Sequence, residues 1–218
     1  MNRGLRPPFQ MAERYTVKHG GSVIVCGGAP CVFEDFEKAK ELRPDADVVG
    51  ANFAVKLFPE IVHVWTQHND VGKELKDSVD RTIFVHARPA KIRSGTGGNM
   101  WLLPVPAHKW AYIDYEWPEF GWFNGSSGVA AGLWAKHGLG YDEVILCGCP
   151  VSKDTNKYHE AYEEGTRHKK GADWAKKSSF AHWQQSILKH KENGKTQGIY
   201  SMSGFTKGVL GEPPVMEN

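Results

Sequence analysis

The sequence predicts an α/β fold: a Rossmann-like, mostly parallel sheet flanked by helices, with one irregular tryptophan-rich insertion. Three observations lead there. Short β-branched runs alternate with amphipathic helical segments. The centres of the runs (Val23-Ile24-Val25, Val48-Val49, Val144-Ile145-Leu146) are apolar, as in strands covered on both faces. They give way to small or polar residues (Gly27 and Gly28, Asn52, Gln67 and His68), and strand ends are where open parallel sheets collect ligands.

The elements follow in order. Residues 1–18 read as a weakly committed arm. Ser22-Val23-Ile24-Val25-Cys26 is a buried strand running into the tight loop Gly27-Gly28-Ala29-Pro30. Val32, Phe33, Phe36, Ala39 and Leu42 recur with helical period, and the helix stops before Pro44. Strands are expected at 47–51, 61–66 and 82–86, with a short helix over 71–77. Residues 88–125 contain Trp101, Trp110, Trp117 and Trp122, follow no period, and read as an insertion packed over one end of the sheet. Order returns with a helix from Gly128 to His137 and a turn at Gly138-Leu139-Gly140-Tyr141. A strand over 143–148 follows, then a short helix over 158–164, a helix over 178–192, a last strand over 199–202 and a frayed tail over 212–218.

The length of 218 residues and mass of 24.3 kDa suit one domain, residues 1–218, read as a single α/β nucleotide-binding unit with residues 165–180 as a candidate lid. Apolar residues at 40%, charged residues at 24% and a mean hydropathy of −0.47 are those of an ordinary globular chain. A net charge of +2 argues against a dedicated nucleic-acid binder. No apolar run is long enough for a membrane span, and Met1–Thr16 lacks the apolar centre of a signal peptide. Cys26, Cys31, Cys147 and Cys149 are too few for a disulfide scaffold, and their C-x4-C and C-x-C spacings do not make zinc knuckles. They read as buried strand-end residues of a cytoplasmic protein.

Several motifs fail. Gly27-Gly28-Ala29 is not G-x-G-x-x-G, and no G-x-x-x-x-G-K-[ST] occurs. Asp45-Ala46-Asp47 spells the D-x-D of metal-dependent sugar transfer but precedes its strand, at the end of the sheet away from the expected site. What remains is a polar, glycine-rich set at strand ends: Gly27, Gly28, Asn52, Gln67, His68, Cys149, Pro150, Val151 and Ser152, with Ser126, Ser127 and Gly128 opening a helix whose free amides suit a phosphate. His68, His159, His168 and His182 are the histidines placed to move a proton near neutral pH. The basic run Thr166–Lys177, with Lys169 and Lys170, is either a solvated surface, a cationic lid over a leaving phosphate, or a grip on an anionic acceptor.

Ser126-Ser127-Gly128-Val129 and the following helix, then Leu139-Gly140-Tyr141-Asp142-Glu143-Val144-Ile145-Leu146-Cys147-Gly148, resemble a block of the bacterial sialyltransferases of glycosyltransferase family 42. The same block occurs in the related motility-accessory-factor glycosyltransferases and 6-hydroxymethylpterin pyrophosphokinases. Val25-Cys26-Gly27-Gly28-Ala29-Pro30 resembles their opening loop, and Val49-Gly50-Ala51-Asn52 their strand ending in a nucleotide-binding asparagine. The resemblance runs in blocks over about residues 22–210 and leaves the tryptophan-rich middle unmatched. It implies a nucleotide-sugar donor held by Gly27, Gly28, Asn52, Ser127, Gly128 and Gly148, and transfer to a hydroxyl acceptor without a metal or other cofactor. The acceptor would be a glycan, a protein or a nucleic acid. In this chain Pro150 replaces the family's acidic residue after the fifth strand, and the family's catalytic histidine falls near Lys176. His168 and His182 are the substitutes for that base, with Lys169, Lys170 or Tyr158 steadying the departing phosphate. The alternatives are a Mg²⁺-dependent pyrophosphokinase-type enzyme and a non-catalytic nucleotide-binding or interaction module.

Overall fold

Along Ser22–Cys26, Val23 and Val25 face one way, Ile24 and Cys26 the other, and all four are fully buried. Apolar layers must therefore lie on both sides of this strand. The structure, a computed structural model, describes residues 9–10, 13–66, 71, 74–75, 79–80, 83–87, 103–104, 109–112, 125–152, 159–161 and 177–215. In chain order the elements are β1 (Phe9–Gln10), β2 (Glu13–Arg14), β3 (Ser22–Cys26), α1 (Val32–Leu42), β4 (Asp47–Ala51), a 3-10 turn (Asn52–Lys56), β5 (His63–Thr66), β6 (Phe84–Ala87), β7 (Leu103–Pro104) and β8 (Lys109–Tyr112). Then come α2 (Ser127–Leu133), continued by a π turn (Trp134–Leu139), β9 (Glu143–Cys147), α3 (Lys177–Glu192), β10 (Ile199–Ser201) and α4 (Gly204–Leu210).

Eight strands form one sheet in the order β10-β9-β3-β4-β5-β6-β8-β2, and every neighbouring pair is parallel. β1 and β7 make a separate antiparallel pair. The α/β, Rossmann-like class read from the sequence is therefore what the chain adopts. From β3 the chain steps outward through β4, β5, β6 and β8, then returns past β3 to lay down β9 and β10 on the other side. Right-handed crossovers require the two directions of travel to use opposite faces. They do. Val32, Phe36 and Ala39 of α1 pack with Ile24, Val48, Val64, Val85 and Ile145. Val129 and Leu133 of α2, Trp134, and Phe180 and Ile187 of α3 pack with Val23, Val25, Val49, Trp65, Val144 and Leu146. The winding reverses between β3 and β9, and the crevice beyond their carboxyl ends is the ligand position of this topology.

Most elements start within two residues of their expected positions. Four differences have physical reasons. The arm 1–18 is more committed than its composition suggests: Glu13 and Arg14 pair with Ala111 and Tyr112, so an edge strand follows from a partner about a hundred residues away. The 88–125 stretch is not wholly irregular, because Lys109–Tyr112 adds a parallel strand in register with Phe84–Ala87. The tail is held as far as its described part goes, since Pro214 O accepts a hydrogen bond from Arg43 Nη2 at 3.0 Å. A helix, α4, stands where the sequence reading had none; glycines at 204 and 208 weaken its local signal, and its Thr206 is fixed by tertiary hydrogen bonds.

At the amino end of β9, Arg43 closes α1 onto the sheet. Its Nε and Nη2 donate to the two Glu143 oxygens at 2.6 and 2.8 Å, and Nη1 reaches Leu42 O. Glu143 also accepts from Ser22 Oγ at 2.8 Å. Removing one partner of such a pair strands a buried charge. Arg43→Ala is expected to lower unfolding stability by about 3 kcal/mol. Arg43→Lys is expected to recover only part of this, because an ammonium cannot reproduce the two-pronged contact. Urea denaturation monitored by tryptophan fluorescence measures both.

Candidate functional site

At the switch point the loops after β3 and β9 touch. An ideal Cβ on Gly27 would lie 2.4 Å from Gly148 O and 2.6 Å from Cys149 Sγ. One on Gly148, which has φ +65°, would lie 2.6 Å from Val32 Cβ. One on Gly128, at the start of α2, would lie 2.3 Å from Cys149 Sγ. These glycines thus let three segments close around the buried Cys149 side chain. Each of the three is required by the close approach of the chain's own segments. Burial pushes the Cys149 thiol far above its ordinary range, so it is an inert plug rather than a nucleophile.

Asp35 ties this assembly together. It lies on the inner face of α1 between Val32 and Phe36 and is almost fully buried. Its Oδ2 accepts the Gly148 N–H at 2.8 Å and the Ser203 hydroxyl at 2.6 Å. Cys31 Sγ lies 3.4 Å from the same hydroxyl. One carboxylate thus bridges α1, the loop after β9 and the loop after β10. The sequence carried a signal for it, a carboxylate inside the apolar stripe of a helix, which calls for buried donors.

The loop after β9 is held on every side. Ala29 N–H donates to Gly148 O at 3.2 Å, Thr206 Oγ1 to Cys149 O at 2.7 Å, Phe205 N–H to Pro150 O at 2.9 Å and Gln184 Nε2 to Val151 O at 3.1 Å. In the middle of these restraints Val151 sits at φ +46°, a left-handed conformation costly for a β-branched residue. Backbone strain of this kind persists only where the surroundings impose it and clusters at functional loops.

Asn52 also adopts a left-handed backbone, φ +53°, which asparagine tolerates. It begins the 3-10 turn directly after β4 and is nearly buried. Its Oδ1 accepts from Thr66 Oγ1 at 3.0 Å, which fixes the amide orientation. The Nδ2 group, with two N–H donors, has no partner among the described residues.

The structure therefore brings Gly27, Gly28, Ser127, Gly128 and Gly148 to the carboxyl end of the sheet, with Asn52 ending the neighbouring strand β4. Ser126 is the N-cap of α2 and Ser127 its first residue; no side chain caps this helix start and no acidic residue lies in its first turn. His182 is exposed on α3, on the side opposite buried Phe180, and no hydrogen bond among the described residues joins it to this crevice. Gln67, His68, Tyr158, His168, Lys169 and Lys170 lie outside the described residues, as does most of the 165–180 candidate lid. His159 comes to the first loop, where its N–H donates to Gly28 O at 2.9 Å and its ring meets Phe33 at 4.7 Å between centroids. Phe33, expected on the buried stripe of α1, is 36% exposed there. Comparison with protein-family models, curated proteins and solved structures finds no match for this chain.

Two expectations test this geometry. Asp35→Ala strands a buried amide and a hydroxyl and is expected to cost about 3 kcal/mol, against about 1 kcal/mol for Ser203→Ala. A double-mutant cycle between them reads the coupling. Removing a buried valine side chain on ordinary backbone costs about 3 kcal/mol. Val151→Gly is expected to cost only about 1–2 kcal/mol, because relief of the left-handed strain returns roughly 1–2 kcal/mol. Chemical denaturation of the three single variants and the Asp35→Ala/Ser203→Ala double variant checks both.

Proposed function

We propose that the chain binds a nucleotide donor across the carboxyl ends of β3, β4 and β9 and transfers its sugar to a hydroxyl acceptor without a metal. The observation that carries the nucleotide part is the Asn52 amide. It is oriented by Thr66, and among the described residues its two N–H donors have no partner, at the end of the strand beside the switch point. A pair of fixed donors at that place suits the carbonyl of a base or the hydroxyls of a ribose. Ser127 and the first amides of α2, close to Cys149, supply further donors for phosphate oxygens.

In the transfer step the acceptor oxygen attacks the anomeric carbon while the bond from that carbon to the phosphate oxygen breaks. The bonding pair leaves with the nucleotide, and the acceptor proton passes to a base. His168 and His182 are the candidates for that base, and Tyr158, Lys169 and Lys170 for the groups that steady the leaving phosphate. Transition-state charge on the departing oxygens is what such donors and cations stabilise. The placement of His182 on the exposed side of α3 favours, as a second reading, a nucleotide-binding module without transfer. The pyrophosphokinase reading requires Mg²⁺ with a nucleoside triphosphate.

Thermal unfolding with CMP, CDP, UDP, GDP and ADP, their triphosphates and their sugar conjugates, each with and without Mg²⁺, separates these readings. A ligand that binds only the folded chain raises the midpoint by mass action. Under the transferase reading one nucleotide raises it without Mg²⁺, and its sugar conjugate raises it further. Asn52→Asp keeps the acceptor for Thr66 and tolerates the backbone but removes the donors, and it is expected to weaken that binding roughly 10-fold. A shift confined to triphosphate with Mg²⁺ supports the pyrophosphokinase reading. Binding without turnover of any sugar conjugate supports the module. No shift with any nucleotide overturns the nucleotide-binding readings and leaves the non-catalytic interaction module.

A further inference from the structure

The far end of the sheet carries a second polar cluster that the donor site does not use. His63 of β5 and His86 of β6 lie on the α2 face, and His63 Nδ1 and His86 Nε2 are 2.9 Å apart in a hydrogen bond. The segment 15–20, between β2 and β3, runs over them. Tyr15 meets His63, Phe84 and His86 edge-on, with centroids at 5.6, 6.0 and 4.8 Å. His19 stacks on Tyr141 at 5.0 Å, meets His63 edge-on at 5.4 Å, and shares a 3.0 Å hydrogen bond with the Tyr15 hydroxyl.

The groups facing the pair offer little to a positive charge. From the strap come Tyr15 and His19, from the strands Trp65 and Phe84, and from the π turn Trp134, 5.0 Å from His86 between centroids. Tyr141 donates its hydroxyl to Asp47 Oδ2 at 2.7 Å, and that oxygen is 4.0 Å from His19 Nδ1. Asp47 is the one anion in the set, and it is exposed and already engaged. His86 Nδ1 is buried with no hydrogen-bond partner. The pair already holds one hydrogen in its shared bond, so a further proton has no acceptor waiting on the Trp134 side. Burial first, then the neighbouring His19, push His63 down to about 4; burial, then His63, push His86 well below its ordinary value.

Among the described residues the strap is otherwise held by a few hydrogen bonds, one of them from Lys18 Nζ to His137 O at 3.3 Å. His19 N–H donates to Leu139 O at 2.9 Å, Lys18 Nζ to Gly138 O, and Gly21 N–H to Asp142 Oδ2 at 2.8 Å. Tyr15 is half-buried, whereas the β3 and β9 cores are wholly buried. Opening the strap is therefore cheaper than opening the central strands.

We propose that residues 15–20 form an acid-released strap: charging the His63–His86 pair expels Tyr15 and His19 from the β5–β6 face while the central strands stay folded. The sign follows from linkage. The closed state holds these imidazoles neutral and the open state lets them titrate near 6.5, so closure is at full strength above about 6.5 and weakens as pH falls toward 4.

Hydrogen exchange read by mass spectrometry on the whole chain between pH 7.5 and 5, corrected for intrinsic rates, tests this. Protection of the His19 amide is expected to fall at least about tenfold between pH 7 and pH 5. Protection over β3 and β9 is expected to hold. His63→Phe/His86→Phe keeps rings under Tyr15 but cannot be charged, and it is expected to abolish the pH dependence of the strap. Unchanged strap protection in the native chain, loss in step with β3 and β9, or pH dependence surviving in the double variant overturns the proposal. If that variant does not fold, proton NMR of the native chain decides: the Tyr15 ring signals must move with the same midpoint as His63 and His86, and movement with any other midpoint, or none, overturns it.

Discussion

Beyond their carboxyl ends, β3 and β9 come so close that the loop after β3 has no room for a side chain at its first residue, and α1 leaves none at the first residue after β9. Much else follows from this contact between Gly27 and the Gly148–Cys149 segment. It places Gly148 N–H against α1, where Asp35 accepts it. It turns Cys149 inward against Gly27 and Gly128, which sets how α2 approaches the sheet. With Cys149 fixed, Pro150 and Val151 must turn away quickly, and the left-handed Val151 is the result. The crevice that a ligand would enter is thus shaped by exclusion before any donor group is counted.

The fold was legible because its signals are local and redundant. Val23 to Cys26, Val48 to Ala51 and Val144 to Cys147 are short apolar runs that only a doubly covered sheet accommodates. Helical spacing in 32–42 and 178–192 needed nothing from the rest of the chain. Elements that depend on distant partners were not legible. The pairing of Glu13 and Arg14 with Ala111 and Tyr112 leaves no trace in either segment alone. The same is true of α4, whose Thr206 is anchored through Ser201 and Cys149.

The candidate site divides in the same way. Its place was legible, since strand ends can be read once strands can, and Gly27, Gly28, Asn52, Ser127, Gly128 and Gly148 do sit at the carboxyl end of the sheet. The reason for its glycines was not. Beside the ligand role expected of them, three are required by the close approach of Gly148 O, Cys149 and Val32, which no local signal announces. Phe33 shows the limit of periodicity: a residue with the right spacing for the helix core is turned outward to meet His159, which arrives from more than a hundred residues downstream. The two ends of the sheet also differ in chemistry. One is bound by a buried ion pair and an aromatic–histidine layer, the other by hydrogen bonds from an amide and a hydroxyl to a single carboxylate.

The pairing order has a consequence for how the molecule comes into being. β3, β4, β5 and β6 lie next to one another in sequence and in the sheet, so a growing chain can lay them down in turn. β9 pairs with β3 across a separation of 121 residues, the spacing between Ser22 and Glu143. A contact between such distant positions bears a large loop-closure entropy and forms late. Until then one edge of the central strand stays bare, and a bare parallel edge invites the wrong partner. The junction between the loops after β3 and β9 therefore exists only once β9 has been made and paired, and any ligand that binds there meets only chains in which that strand is in place.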